Sequence, residues 1–255
     1  QYSIPLTLRQ IYYRLVAGFG LPNTRSAYNQ LSKMLVKARE RGEVDDTRIE
    51  DRSRETLGGD YGFSSPDEYL RHKIDSFKRV DYRRKMWDSQ PTYLEIWVEK
   101  DALSRVISTI ADKYAVVTCP SRGYSSYTYL KRMAVENRFQ EHSGKPIIIL
   151  DYRDHDPSGI QMTEDMQNRL RRYGNDMDIT VKRIALTINQ VKQYNLIPNP
   201  TKLADPRSPK YISLYGNECW ELDAIEPDEL QRIVEDSITR SIVDTRLWNR
   251  TLNQS

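Results

Sequence analysis

Two cysteines, Cys119 and Cys219, are all the chain has, and they stand far apart in sequence. They cannot form a disulfide framework or a paired-cysteine zinc site. The three histidines, His72, His142 and His155, are scattered, and none is helix-spaced with another. A catalytic zinc is therefore not expected, and any metal should sit on carboxylates. No apolar run approaches the roughly 18 residues that a membrane-spanning helix needs. Residues 1–6 have neither the basic start nor the apolar stretch of a signal peptide. The expectation is a soluble, membrane-free protein in a reducing cytoplasmic compartment, at the nucleoid if its partner is DNA. The chain starts at Gln1 rather than Met, which leaves room for native residues upstream. Charge of one sign is also scarce, with 39 Lys and Arg against 36 Asp and Glu, a net charge of +3. A pI near 8.7 gives mild support to a nucleic-acid partner and proves nothing alone.

The 255 residues suit one large domain or two small ones, and 38% hydrophobic content allows a packed core despite a mean hydropathy of −0.73. Three segments are expected: 1–56, 57–91 and 92–255. In the first, Thr7 is a candidate N-cap, and Leu8, Ile11, Tyr12, Leu15 and Val16 follow helical spacing. Gly18, Gly20 and Pro22 break that helix. A second helix starts near Asn23 or Thr24, has its apolar positions at Tyr28, Leu31, Leu35 and Ala38, and ends at Gly42. Its other side carries Arg25, Asn29, Lys33 and Lys37. Two short helices about a Gly/Pro turn, the second with a basic face, suggest a helix-turn-helix or winged helix that binds DNA. A solvated amphipathic helix fits the charge pattern equally well.

The second segment opens on a Gly/Ser/Pro-rich linker at 57–68 and continues as a basic amphipathic helix with Leu70, Ile74 and Phe77 inward. The third alternates. Strands are expected at 93–98, 114–118, 146–151 and 179–185, with helices at 101–113, 126–139, 160–173 and 229–242. Apolar strands alternating with helices imply an α/β fold, a parallel sheet covered on both faces.

Two strand ends carry the chemistry. One closes on Glu99 in EIWVEKDAL. The other runs into IIILDYRDHDPSG, with Asp151, Asp154 and Asp156. Ligands of open α/β sheets bind beyond the carboxyl ends of the strands. Several carboxylates gathered there call for a cation, and hard oxygen ligands suit Mg²⁺, with Mn²⁺ as a possible substitute. Asp151 alone reads as a plain loop or cap residue, or as a ligand for a second metal. His155 reads as a turn residue. Arg122, in PSRGYSSYTYL, is a candidate phosphate contact ahead of a helix, or part of a simple cap. Asp205 and Arg207 are placed in a second charged cluster with Glu221 and Asp223.

EIWVEKDAL with DHDPSG resembles the Toprim domain of topoisomerases, bacterial primases and several nucleases. That domain has a glutamate after one strand and Asp-x-Asp after a later one, positions that Glu99, Asp154 and Asp156 match. TLRQIYYRLV resembles the tyrosine-bearing segment of the topoisomerase VI A subunit and its meiotic double-strand-break relative. CWELDAI at 219–225 resembles the C-terminal part of that family. The resemblance covers roughly residues 5–55 and 92–185. It implies a winged helix followed by a Toprim domain, with Tyr13 as nucleophile. Helical geometry also separates the two tyrosines: Tyr12 falls in the apolar face, and Tyr13 falls off it, on the side of Arg9. Arg9, one turn earlier, could lower the cost of ionising the tyrosine or hold the scissile phosphate.

The function implied is Mg²⁺-dependent cleavage of double-stranded DNA by tyrosine transesterification. A homodimer is implied too, because in that family the tyrosine of one subunit meets the acids of the other. The chain has no Walker pattern, so a topoisomerase cycle would need a separate ATPase subunit. Two rival readings are a Toprim nuclease that hydrolyses DNA with water, which a second metal at Asp151 would suit, and a non-catalytic DNA-binding module.

Overall fold

A computed structural model of the protein describes residues 5–50, 64–79, 85–121, 127–242 and 244–253. The N-terminal unit comprises β1 (Leu6–Thr7), α1 (Leu8–Phe19), α2 (Arg25–Glu40) and β2 (Ile49–Glu50). Thr7 caps α1 through a reciprocal capping box with Gln10. Gly20 ends it in the left-handed conformation, at φ 70°, where a side chain would be strained. Thr24 caps α2, and β1 pairs in parallel with β2. A separate helix, α3 (Pro66–Arg79), follows.

The remainder is α/β. In chain order it contains β3 (Tyr93–Val98), α4 (Asp101–Ala111), β4 (Val117–Pro120), a π-helix (Tyr129–Phe139), β5 (Ile147–Tyr152) and α5 (Pro157–Gly174). Then come β6 (Ile179–Ala185), α6 (Ile188–Gln193), β7 (Asn199–Pro200), α7 (Ser208–Tyr215), β8 (Glu218–Cys219), α8 (Pro227–Thr239) and α9 (Thr245–Asn253). Four strands form one parallel sheet in the order β4-β3-β5-β6. The short β7 and β8 pair antiparallel in a separate two-stranded sheet.

Strand alternation assigns the two faces. Tyr93, Glu95 and Trp97 of β3 turn toward the π-helix, where Trp97 meets Tyr129 and Tyr93 meets Phe139 edge-on. On β5, Asp151 shares that face and reaches Thr163 of α5, whereas the Tyr152 hydroxyl bonds Ser237 of α8 on the other side. All six residues of β3 are buried, as a strand covered on both faces must be. Each fully buried aliphatic side chain there contributes roughly 1.5–3 kcal/mol. No helix among the described residues is long and apolar enough to cross a membrane.

The α/β expectation holds, and several bounds and details differ. Helix α5 starts at Pro157 rather than residue 160, because Asp156 caps it and Pro157 fits the first turn. β4 starts at Val117 because a short 3-10 turn and a left-handed Ala115, at φ 49°, extend the preceding connection. Leu70 and Ile74 of α3 do not face inward. They are 54% and 52% exposed, since none of the described residues packs over that helix. Phe77, expected beside them, has a side chain outside the described set, as does the 57–63 part of the linker.

The sheet also buries a charge. Glu95 is fully buried and takes two bonds from Arg138, at 2.6 and 3.1 Å. It accepts from Tyr93 and from the Trp97 indole as well. Breaking such a pair strands the remaining charge, whereas neutralising both partners costs little. Arg138→Met should lose about 3–5 kcal/mol in urea unfolding. Adding Glu95→Gln should recover most of that loss, because glutamine still accepts from Tyr93 and Trp97. A double variant no better than the single one would refute this account.

Candidate active site at the carboxyl ends of the strands

The acid-bearing turn is fixed by its backbone. A Cβ on Gly159 would run into the Asp154 carbonyl oxygen, so DHDPSG can close only with glycine there. Arg183, on β6, donates to the carbonyls of Arg153, Asp154, Gly159 and Leu186. Burial pushes its guanidinium below the usual value, although Asp151 opposes that. His155 forms a two-way backbone bridge to Trp220 and bonds the Tyr211 hydroxyl. Burial depresses its pKa to about 4, so it is neutral and structural, as a turn residue should be.

Around this turn each acid has a distinct environment. Asp154 accepts from the Leu222 amide at 2.8 Å through one oxygen and faces Lys100 Nζ at 3.1 Å through the other. Asp156 gives one oxygen to the Gly159 amide at 2.7 Å. Burial raises its pKa, with Asp154 adding to the effect. Glu99 has a buried Oε2 with no hydrogen-bond partner. Burial, then Asp154, and more weakly Asp156, push its pKa up to about 7. An orphaned carboxylate oxygen beside two further acids fits a hard cation. Among the described residues no three His, Cys, Asp or Glu side chains already converge as a metal cluster, and Lys100 is the cation in contact with Asp154.

The N-terminal unit docks on the same end of the sheet. The Thr7 hydroxyl donates to Asp223 at 3.1 Å, and Arg9 pairs with Glu221 at 3.0 Å. Arg14 reaches the Ala224 carbonyl and Glu226. Asn199 donates to the Tyr13 hydroxyl at 2.7 Å, and Asn23 reaches the Pro198 carbonyl at 3.0 Å. Between the two halves lies a cleft of about 890 Å³ whose lining includes Arg9, Tyr13, Glu99, Asp156, Arg207 and Glu221.

The cleft thus gathers Tyr13, Arg9, Glu99 and Asp156 within one chain, with Asp154 behind Lys100. In this arrangement the tyrosine shares one cleft with acids of its own chain. Tyr13 itself departs from expectation. It is 1% exposed, as buried as Tyr12 at 2%, because Leu196 and Ala224 cover the flank that helical spacing left open. Burial first, then Glu221, raises its pKa, and the hydrogen bond from Asn199, with Arg9 and Lys100, only partly offsets that. Asp151 is not brought to the cluster. Strand alternation turns it onto the α5 face, where Arg153 takes one oxygen at 2.8 Å and Thr163 the other at 2.6 Å.

Of the expected DNA contacts, Arg25 lines the cleft, while Lys33 and Lys37 are exposed on α2 outside its lining. Arg122 lies outside the described residues. The second charged cluster divides in two. Asp205 and Arg207 form a bidentate pair, whereas Glu221 and Asp223 join Lys100. Lys100, Asn199 and Arg183 were not singled out from the sequence. Only Lys100 carried a local signal, its place directly after Glu99. No protein-family model matches the chain, and no curated protein matches it.

Glu99 makes stability depend on pH. Its folded value of about 7 exceeds its ordinary 4.5, so the folded state keeps a proton that the unfolded chain releases. Stability should fall as pH rises from about 4.5 to about 7 and stay low above that. In metal-free protein, Glu99→Gln should match wild type at pH 4. At pH 8 it should be more stable by up to about 3 kcal/mol, at roughly 1.4 kcal/mol per pKa unit. Parallel thermal melts at the two pH values test this, and equal melting at both would show that Glu99 is not destabilised when ionised.

Proposed function

We propose that the chain is a magnesium-dependent DNA-cleaving protein of the topoisomerase VI A type, with Tyr13 as the attacking group. In this reading the N-terminal unit serves as a winged-helix DNA-binding half and the α/β part as a Toprim half. The observation that carries it is the shared cleft, in which Tyr13, Arg9, Glu99 and Asp156 face one space. The cation would be held by Glu99, Asp154 and Asp156, and when bound it would supply charge stabilisation for phosphoryl transfer.

The chain's own residues account for the rest. Arg9, at the cleft wall, offers a planar donor to a phosphodiester. Asn199 donates to the Tyr13 oxygen, fixing the hydroxyl while leaving its proton to be surrendered elsewhere. The Tyr13 oxygen attacks phosphorus, the sugar oxygen leaves with a proton, and a phosphotyrosyl ester remains. Double-stranded DNA is the proposed partner, with Arg25, Lys33 and Lys37 as backbone contacts. Binding should then weaken steeply with salt. A homodimer and a separate ATPase subunit belong to the same proposal.

The burial of Tyr13 and its raised pKa favour a second reading, in which water cleaves the phosphodiester and Tyr13 only positions it.

Covalent trapping separates the two. Labelled supercoiled and linear duplex DNA would be mixed with protein and Mg²⁺ or Mn²⁺, then quenched in denaturant. Transesterification predicts label on wild-type protein and none on Tyr13→Phe or Glu99→Gln. Glu99→Gln is preferred to a change at Asp154, which also holds the Leu222 amide. Cut DNA without trapped label, surviving in Tyr13→Phe, would establish the hydrolytic reading. DNA bound but uncut by all three proteins would defeat both.

A further inference from the structure

Lys100 plays no part in the chemistry above, yet it contacts three carboxylates. Its Nζ lies 2.6 Å from Asp223, 3.1 Å from Asp154 and 3.1 Å from Glu221. These three lead to different places. Asp154 is one of the acids assigned to the cation. Asp223 accepts from Thr7, the N-cap of α1. Glu221 pairs with Arg9, in the first turn of α1. One ammonium group therefore ties the acid-bearing turn to the start of the helix that carries Tyr13.

We infer that Lys100 is a positioning residue, the internal counter-cation of Asp154. It seats α1 in the metal-free chain and competes with a divalent cation for that carboxylate. The inference rests on the magnesium reading proposed above.

The geometry supplies the competition. One oxygen of Asp154 is committed to the Leu222 amide, so the oxygen facing Lys100 is the one left for a cation. A divalent ion bound there and the Lys100 ammonium repel each other at close range. The carboxylates that Lys100 also holds, Asp223 and Glu221, are those on which α1 is seated. Whatever loosens Lys100 from Asp154 therefore shifts the balance of charge at the start of α1. Linkage makes the effect reciprocal: a cation that disturbs the seating of α1 binds less tightly by the same factor.

The test uses the whole chain and Mn²⁺ alone as probe, with free ion counted by electron paramagnetic resonance in wild type and Lys100→Met. Losing the internal competitor should tighten Mn²⁺ binding by at least about tenfold. A purely structural lysine would leave the affinity unchanged or weaken it as the cluster falls apart. The second measurement needs no variant: amide hydrogen exchange of residues 7–19 in wild type should quicken when Mg²⁺ is added. This measurement decides alone if Lys100→Met does not fold. Equal or weaker Mn²⁺ binding by Lys100→Met, or exchange indifferent to Mg²⁺, overturns the inference and leaves the magnesium reading standing. If neither protein binds Mn²⁺, both fall together.

Discussion

A single lysine ammonium among three carboxylates holds the candidate site in its shape. Burial alone would lower the Lys100 pKa, but Asp223, Asp154 and Glu221 together hold it well above its usual value. The lysine therefore stays charged, and its charge makes the cluster possible. Two of its partners, Glu221 and Asp223, also receive the N-terminal unit through Arg9 and Thr7. The docking of one half of the chain on the other thus depends on the charge balance at the ends of β3 and β5.

That balance is incomplete. Among the described residues, six acids stand near these strand ends: Glu99, Asp151, Asp154, Asp156, Glu221 and Asp223. Four of the described cations face them: Arg9, Lys100, Arg153 and Arg183. Asp151 and Arg153 neutralise each other inside the sheet, and the deficit falls on the cleft side. Without a further cation the least costly response is protonation. Glu99, with an oxygen lacking any donor, is the acid pushed furthest toward it. A deficit of two charges is also what one divalent ion would supply. The proton on Glu99 and the cation are thus alternative answers to one electrostatic problem.

Much of this was legible in the sequence, and the rest was not for definable reasons. β3 lies where its apolar run puts it, because a strand covered on both faces must be apolar nearly throughout, and the half-buried edge strand β6 also lies at its expected place. The Asp-x-Asp turn was legible because Pro157 and Gly159 admit few backbones and mark a helix start. The environment of Tyr13 was not. Helical periodicity points to Leu8, Ile11, Leu15 and Val16, which are only partly buried, whereas Tyr13 is buried in a cluster with Ala224 and Leu196, distant in sequence. For α3 the failure is the reverse. Its pattern announces an apolar face, yet no described part of this chain covers Leu70 or Ile74. Periodicity records that a face is apolar and says nothing of what covers it.

The same charge deficit bears on whether a buried tyrosine can be a nucleophile. Tyr13 is held protonated by burial and by Glu221, against the weaker pull of the Asn199 hydrogen bond, Arg9 and Lys100. A buried phenol is eased toward ionisation by hydration, which relieves the cost of burial while screening nearby cations. It is also eased when positive charge near it grows or negative charge falls. Glu221 is the pivot, because it raises the Tyr13 pKa while sharing one oxygen between Arg9 and Lys100. Drawing Lys100 closer to Glu221 and away from Asp154 would lower the tyrosine's cost of ionisation without moving Tyr13 itself. In this chain Tyr13 and the acid-bearing turn are therefore linked through the contacts of one shared lysine, although they sit on different halves of the fold.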